Sequence, residues 1–236
     1  MLEDRVVLIT GATGGLGTAV AREFARTDAA LALTSTSPEA LAMLAEETGL
    51  PESRLYHQAA DVTHPEGVQE LVEEIVERWG GLHVLLNNVG TWQGGDPVHE
   101  TSIEAWNRLL RVNLQSAFLL SRAVLPHMLE TGWGRIVHIS SRGAVQPKPH
   151  EASYDVSKRA LITLTEVIAL ETKGTGVTAN AILPSIIDTP ANRHYISKPD
   201  PSRWVSPQDI AATMRFLCSE AGEAISGASI AVYGDV

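Results

Sequence analysis

Tyr154 and Lys158 stand four residues apart in the stretch ASYDVSKRAL, residues 152–161. On a helix this spacing puts a phenol and an ammonium one turn apart on the same face. A cation beside a phenol favours its ionised form, so the pair has the make-up of a proton-transfer group working below the ordinary phenol pKa of about 10. A surface helix with an ordinary pair has the same spacing, so other residues must separate the two readings. Upstream, RIVHISS (135–141) ends in Ser140 and Ser141, hydroxyls suited to hydrogen-bonding an oxygen that gains charge during a reaction. Neighbouring side chains at a strand end face opposite ways, so one of the two would point at a given site.

A second signal is TGATGGLG (10–17), with glycines at 11, 14, 15 and 17 between an apolar run and a helical pattern. Such a turn lets backbone N–H groups and a helix N-terminus approach a pyrophosphate that side chains would obstruct. A tight strand-to-helix turn with no ligand would use the same residues.

The elements that must position these groups alternate regularly. Short aliphatic runs at 5–10, 30–35, 54–59, 83–87, 135–140, 177–183 and 229–233 read as strands. Helical patterns fall near 15–27, 38–48, 65–79, 101–127, 152–173 and 207–219, with start signals such as Ser37-Pro38 and Ser206-Pro207. This alternation predicts an α/β, Rossmann-like doubly wound parallel sheet of seven strands with helices on both faces, in one domain over 1–236. Ligands bind such sheets beyond the carboxyl ends of the strands. There the sequence places Asp61-Val62, NNVG (87–90), Ser140-Ser141 and PSIIDT (184–189).

Composition narrows the function. The formal charge is −10 with no basic run, which argues against nucleic-acid and anionic-membrane partners. No apolar run is long enough to span a bilayer. A single cysteine, Cys218, allows no intrachain disulfide and fits a cytoplasmic protein. The eight histidines show no paired spacing for a metal, so no metal is expected.

Taken together, these motifs resemble the short-chain dehydrogenases/reductases of the compact single-domain type, over essentially the whole chain. Thr10, Gly11, Gly15 and Gly17 fit the family's TGxxxGxG, NNVG is similar to its NNAG with Val89 in place of alanine, and YDVSK matches YxxxK. The resemblance implies a catalytic set of Asn113, Ser141, Tyr154 and Lys158, with Ser141 favoured over Ser140 by its distance from Tyr154. Tyr154 would exchange a proton with a small carbonyl or alcohol, and Ser141 would bind the same oxygen. Lys158 would anchor the nicotinamide ribose and, together with the positive charge on oxidised nicotinamide, lower the phenol pKa. Asn113 would hold a water in the proton path, unless it simply bonds backbone in a helix kink. The implied nicotinamide-nucleotide site comprises Gly11, Thr13, Gly14, Gly15, Leu16 and Gly17 at the turn, Ser35 and Thr36 after the second strand, and Asp61 and Val62 at the adenine. Asn88, Gly90, Tyr154, Lys158, Pro184, Ile187 and Thr189 complete it, with Thr189 at the carboxamide.

NADP(H) is favoured over NAD(H), because Ser35 stands near the position where NAD-dependent relatives carry an acid. The hydroxyls of Ser35, Thr36 and Ser37 would receive the 2′-phosphate without a cation. Residues 185–206 read as an irregular substrate lid. Trp92, Gln146, His150, His194, Tyr195 and Trp204 are candidate pocket residues. A 3-oxoacyl thioester or a ketone is the expected substrate. The alternatives are a pterin, as DTPANR is similar to a loop of dihydropteridine reductases, and a non-catalytic nucleotide-binding regulator. The resemblance implies a homodimer or homotetramer, joined through the long helices at 101–127 and 152–173.

Overall fold

The structure, a computed structural model, describes residues 2–235. Seven strands form one parallel sheet: β1 (Val6–Thr10), β2 (Ala30–Ser35), β3 (Leu55–Ala59), β4 (Val84–Asn87), β5 (Gly134–Ile139), β6 (Val177–Pro184) and β7 (Ser229–Val232). Their order is β3-β2-β1-β4-β5-β6-β7. The chain winds outward from β1 to β3, then returns to place β4 against the other side of β1. A crevice opens where the winding reverses, between the carboxyl ends of β1 and β4. There Gly11 (φ +61°) packs so closely that an added Cβ would lie 3.1 Å from the carbonyl carbon of Asn88 and 3.2 Å from the amide nitrogen of Val89.

The strands are continuous apolar runs because both faces of the sheet are covered. In β1, Val7 and Ile9 join one core with Val20 and Phe24 of α1 (Gly15–Ala25), Leu41 of α2 (Pro38–Thr48) and Met214 of α8 (Pro207–Leu217). Val6 and Leu8 point the other way, into a core with Leu71 of α3 (Pro65–Trp79), Leu120 of α5 (Ser116–Thr131) and Ile168 of α6 (Ala152–Glu171). The start signals read from the sequence operate as capping residues. Ser37 accepts from the Ala40 N–H and Ser206 from the Asp209 N–H, each ahead of a first-turn proline.

Two expectations need correction. The helix expected at 101–127 is α4 (Ile103–Leu110) and α5 joined through a wide π-type turn at Arg111–Gln115, and it continues to Thr131. The stretch expected to be irregular after β6 holds a short helix, α7 (Pro190–Tyr195), which Thr189 starts by accepting from the Asn192 N–H. Among the described residues no helix is long and apolar enough to cross a membrane.

Candidate active site

β5 delivers two serines at its end, and the strand alternation separates them. Ser140 is buried and donates to the carbonyl oxygen of Lys158 at 2.8 Å, tying the strand to α6. Ser141 faces the other way, accepts from the Gly143 N–H at 3.1 Å, and is hydrogen-bonded through its hydroxyl to Tyr154. Tyr154 and Lys158 sit one turn apart on α6, as their spacing requires.

Asn113 lies in the π-type turn and is fully buried. Its Oδ1 accepts from the Thr91 N–H at 2.7 Å, and its Nδ2 donates to the Thr91 carbonyl at 3.0 Å and to Ser157 Oγ at 2.9 Å. Ser157 in turn donates to the Tyr154 carbonyl at 2.7 Å. The side chain therefore does bond backbone, as one of the two sequence readings had it, but the backbone belongs to the segment after β4. The wider turn swings Asn113 inward to reach it. Gly90 closes the group: a Cβ there would stand 2.8 Å from Lys158 Nζ and 3.4 Å from Asn113 Oδ1. The four residues expected to be catalytic thus come together, with Thr91 and Ser157 as connectors. Ser157 was findable one helical turn after Tyr154, whereas nothing local marks Thr91.

The Lys158 ammonium donates to the Ile139 carbonyl at 2.8 Å, and burial pushes it down to about 8. Tyr154 titrates under opposing influences. Burial pushes its phenol up; the Ser141 hydrogen bond opposes this, and the charges of Asp155 and Glu151 add to it. The Lys158 ammonium is directed to the Ile139 carbonyl, one turn along α6 from this phenol. The lysine shift has a consequence for stability. The folded chain releases this proton at a lower pH than the unfolded chain, whose lysine keeps the ordinary 10.5, so unfolding free energy rises with pH between about 8 and 10.5. Relative to Lys158→Met, the wild type is expected to gain urea resistance across that window. An identical pH dependence of the two midpoints would contradict it.

Beneath the site runs a buried polar chain that the sequence reading passed over. Thr10 Oγ1 donates to Asn87 Oδ1 at 2.9 Å, Asn87 Nδ2 lies 3.3 Å from His138 Nδ1, and His138 Nε2 lies 3.2 Å from Ser121 Oγ. The Asn87 amide nitrogen is a donor, so His138 Nδ1 accepts and Nε2–H faces Ser121. Burial, with Lys158 nearby, pushes His138 down to about 3 and keeps it neutral. A histidine inside an apolar strand was the available signal.

The glycine turn meets the requirements of a dinucleotide seat. Gly14 caps α1 with no side-chain bond, leaving first-turn N–H groups to face a ligand. Added Cβ atoms at Gly15 and Gly17 would lie 2.8 Å from Thr189 and 2.0 Å from the Gly11 carbonyl oxygen. Thr13 is half-buried beside the turn, while Leu16 turns into the core. Asn88 donates to the carbonyls of Thr10 and Leu86, while its buried Oδ1 has no partner, an acceptor held ready at the crevice. Val62 is buried, and Asp61 is exposed, its carboxylate held below the usual range by hydrogen bonds from Thr63. Pro184 ends β6, Ile187 pairs with Val205, and Thr189 lies against Gly15.

At the end of β2, Ser35 is half-buried and Thr36 exposed. Ser37 is not free to receive a phosphate as expected, because it caps α2 and donates to Glu39 at 3.2 Å. Of the pocket candidates, Trp92 and Tyr195 meet edge to face with centroids 5.3 Å apart, joining the segment after β4 to α7. Gln146, His150 and His194 are exposed. Trp204 is a packing residue instead, 9% exposed, with Gly234 against its backbone.

A family model described as short chain dehydrogenase matches residues 5–200. The chain is 33% identical over 208 residues to a D-beta-hydroxybutyrate dehydrogenase of Rhizobium meliloti, covering 87% of this chain and 80% of that one. It is 31% identical over 242 residues to a 3-oxoacyl-[acyl-carrier-protein] reductase of Thermotoga maritima, covering 99% and 98%. A 3-ketoacyl-(acyl-carrier-protein) reductase from Brucella melitensis, solved in complex with NADH, superposes with a TM-score of 0.91 at 27% identity, covering 99% of this chain and 98% of that one. With the fold, the glycine seat and the Ser141–Tyr154–Lys158 group in place, the chain belongs to the short-chain dehydrogenase family and is an oxidoreductase acting on CH–OH and C=O groups.

Proposed function

We propose that the chain interconverts a small ketone, or a 3-oxoacyl thioester, and the matching alcohol, with Tyr154 as proton donor and acceptor. The observation that carries this reading is the hydrogen bond between the Tyr154 and Ser141 hydroxyls, one turn from the buried Lys158 ammonium. Two hydroxyls in mutual contact converge on one substrate oxygen. Tyr154 passes the proton and Ser141 stabilises the charge that builds there. A bound nicotinamide supplies or accepts the hydride. Lys158 and Asn113 hold its ribose end and the proton path, and Gly11 to Gly17 hold the pyrophosphate. Residues 185–206 form the lid of this single domain, and the Trp92–Tyr195 contact ties it to the segment after β4. Exposed Phe118, Val156, Val167 and Leu170 on α5 and α6 support association of copies through these helices.

NADP(H) is the favoured nucleotide in this reading, because Ser35 puts a hydroxyl where an acid would repel a 2′-phosphate. The preference is modest, since Glu39 holds the Ser37 hydroxyl beside the same place. Absorbance of the reduced nicotinamide, followed with ketones, aldehydes, 3-oxoacyl thioesters and quinonoid pterins, tests the reaction. Turnover of pterins alone, or of none of these, would overturn it. With the best substrate, kcat/KM with NADPH is expected to exceed that with NADH by no more than about tenfold, about 1.4 kcal/mol. Ser35→Asp is expected to reverse the order by about 30-fold or more, because setting like charges together costs several kcal/mol. A strong NADH preference in the wild type would defeat the assignment.

A further inference from the structure

The residue after the proposed proton-transfer tyrosine is itself a carboxylate, and it is buried. Asp155 is 6% exposed. Its Oδ2 accepts from the Lys148 N–H at 2.9 Å. Its Oδ1 has no partner and is pressed against Gly143, where an added Cβ would stand only 2.2 Å away. Both contacts fall on the loop that leaves β5, and Gly143 is also the residue whose N–H binds Ser141 Oγ. One carboxylate therefore holds this loop through the Lys148 N–H and packs against it at Gly143, from a helix position adjacent to Tyr154. Leaving a buried carboxylate oxygen unpaired is costly, so packing alone gives no reason for an acid here.

We infer that Asp155 is a positioning residue: it fastens the Ser141 loop to α6 and fixes a negative charge at the helix position next to Tyr154. The inference rests on the proposed role of Tyr154. Arg142, beside Gly143 on the same loop, turns its guanidinium over the Tyr233 ring, 5.6 Å from the centroid. Glu151, at the start of α6, stands on the same side as Asp155 and acts on both groups, and Lys148 lies against Asp155 from the loop. Lys158, from the next turn, has its ammonium on Ile139, and Ser141 from β5 is uncharged. Burial, then Glu151, holds the Asp155 carboxyl above its ordinary value, opposed by the Lys148 N–H and by the lysine charge. An anionic Asp155 disfavours phenolate, so removing its charge must move the phenol titration to lower pH.

Two substitutions separate grip from charge. Asp155→Asn keeps an oxygen for the Lys148 N–H and loses only the charge; Asp155→Ala loses both. Ultraviolet difference titration of tyrosine ionisation, with Tyr154→Phe subtracted to isolate this phenol, reads the charge effect without any turnover. Asp155→Asn is expected to ionise Tyr154 at lower pH than the wild type; an unmoved titration would overturn the electrostatic part. In the loaded enzyme, Asp155→Asn is expected to keep its plateau kcat within about threefold, while Asp155→Ala loses about tenfold or more with little change in KM for cofactor, because a displaced Ser141 misaligns the oxygen site. Equal plateau rates for Asp155→Ala and the wild type would overturn the positioning part. If Asp155→Ala does not fold, the Asp155→Asn titration still decides the charge, and Gly143→Ala, which forces the same contact apart, decides the grip. Wild-type chain that turns over nothing would sink the proposed function instead, and would leave the titration result standing.

Discussion

Tyr154→Phe is expected to bind nicotinamide nucleotide as the wild type does and to lose about 10²- to 10⁴-fold in kcat, the range for removing a positioned acid-base group. The change deletes one oxygen. The ring still fills its place on α6, and Ser141 keeps the Gly143 N–H as a partner. Lys158, Asn113 and the glycine turn are untouched, so fluorescence titration should give a cofactor Kd within about twofold of wild type, or about 0.4 kcal/mol. The loss should fall on kcat and kcat/KM alike, because the missing group acts at the transition state. A variant turning over at the wild-type rate would remove Tyr154 from the proposed mechanism. One that loses nucleotide binding in proportion would recast Tyr154 as a structural residue.

Gly17→Ala should act on folding and binding at once. The added methyl would lie 2.0 Å from the Gly11 carbonyl oxygen and 2.8 Å from the Ala12 Cα, and both obstacles are backbone. Relief requires α1 to move off β1 or the turn to open. Overpacking of this kind costs about 3 kcal/mol or more, which in a chain of this size lowers Tm by roughly 6–12 °C. The same movement pulls the α1 N-terminus away from the pyrophosphate, so nucleotide affinity should fall in parallel. Gly14→Ala is the control. Its Cβ would meet only the Gly11 carbonyl oxygen, at 3.3 Å, and its φ of −69° suits alanine. Calorimetry on both variants checks the contrast in stability, nucleotide titration of Gly17→Ala reads the loss of affinity, and equal melting of Gly17→Ala and the wild type would refute the packing argument.

What was legible in the sequence is what depends on local pattern. VVLIT and GRIVHI could be read as strands because sheets covered on both faces need unbroken apolar runs, and Ser37-Pro38 fixed a helix start because capping chemistry is local. The Tyr154–Lys158 relation followed from helix geometry alone. The break in the helix expected at 101–127 left no such trace. Arg111, Leu114 and Gln115 are good helix formers, and the wide turn is held by Asn113 reaching Thr91, 22 residues away. Asp155 reads as a solvent-facing position until the loop from β5 folds over it. Ser37 shows the opposite failure: its local role as a cap was legible, and that role is what keeps its hydroxyl from a phosphate. Spacing set Lys158 one turn from Tyr154 but gave no sign that its ammonium is directed to the Ile139 carbonyl.

The close approach of Gly11 to the Asn88–Val89 peptide has one further consequence. The gap between the halves of the sheet is bounded by main-chain atoms, so its width is indifferent to which aliphatic residues line the strands, provided position 11 stays bare. Mutational drift through the aliphatic strand positions therefore leaves that socket bounded by the same backbone atoms.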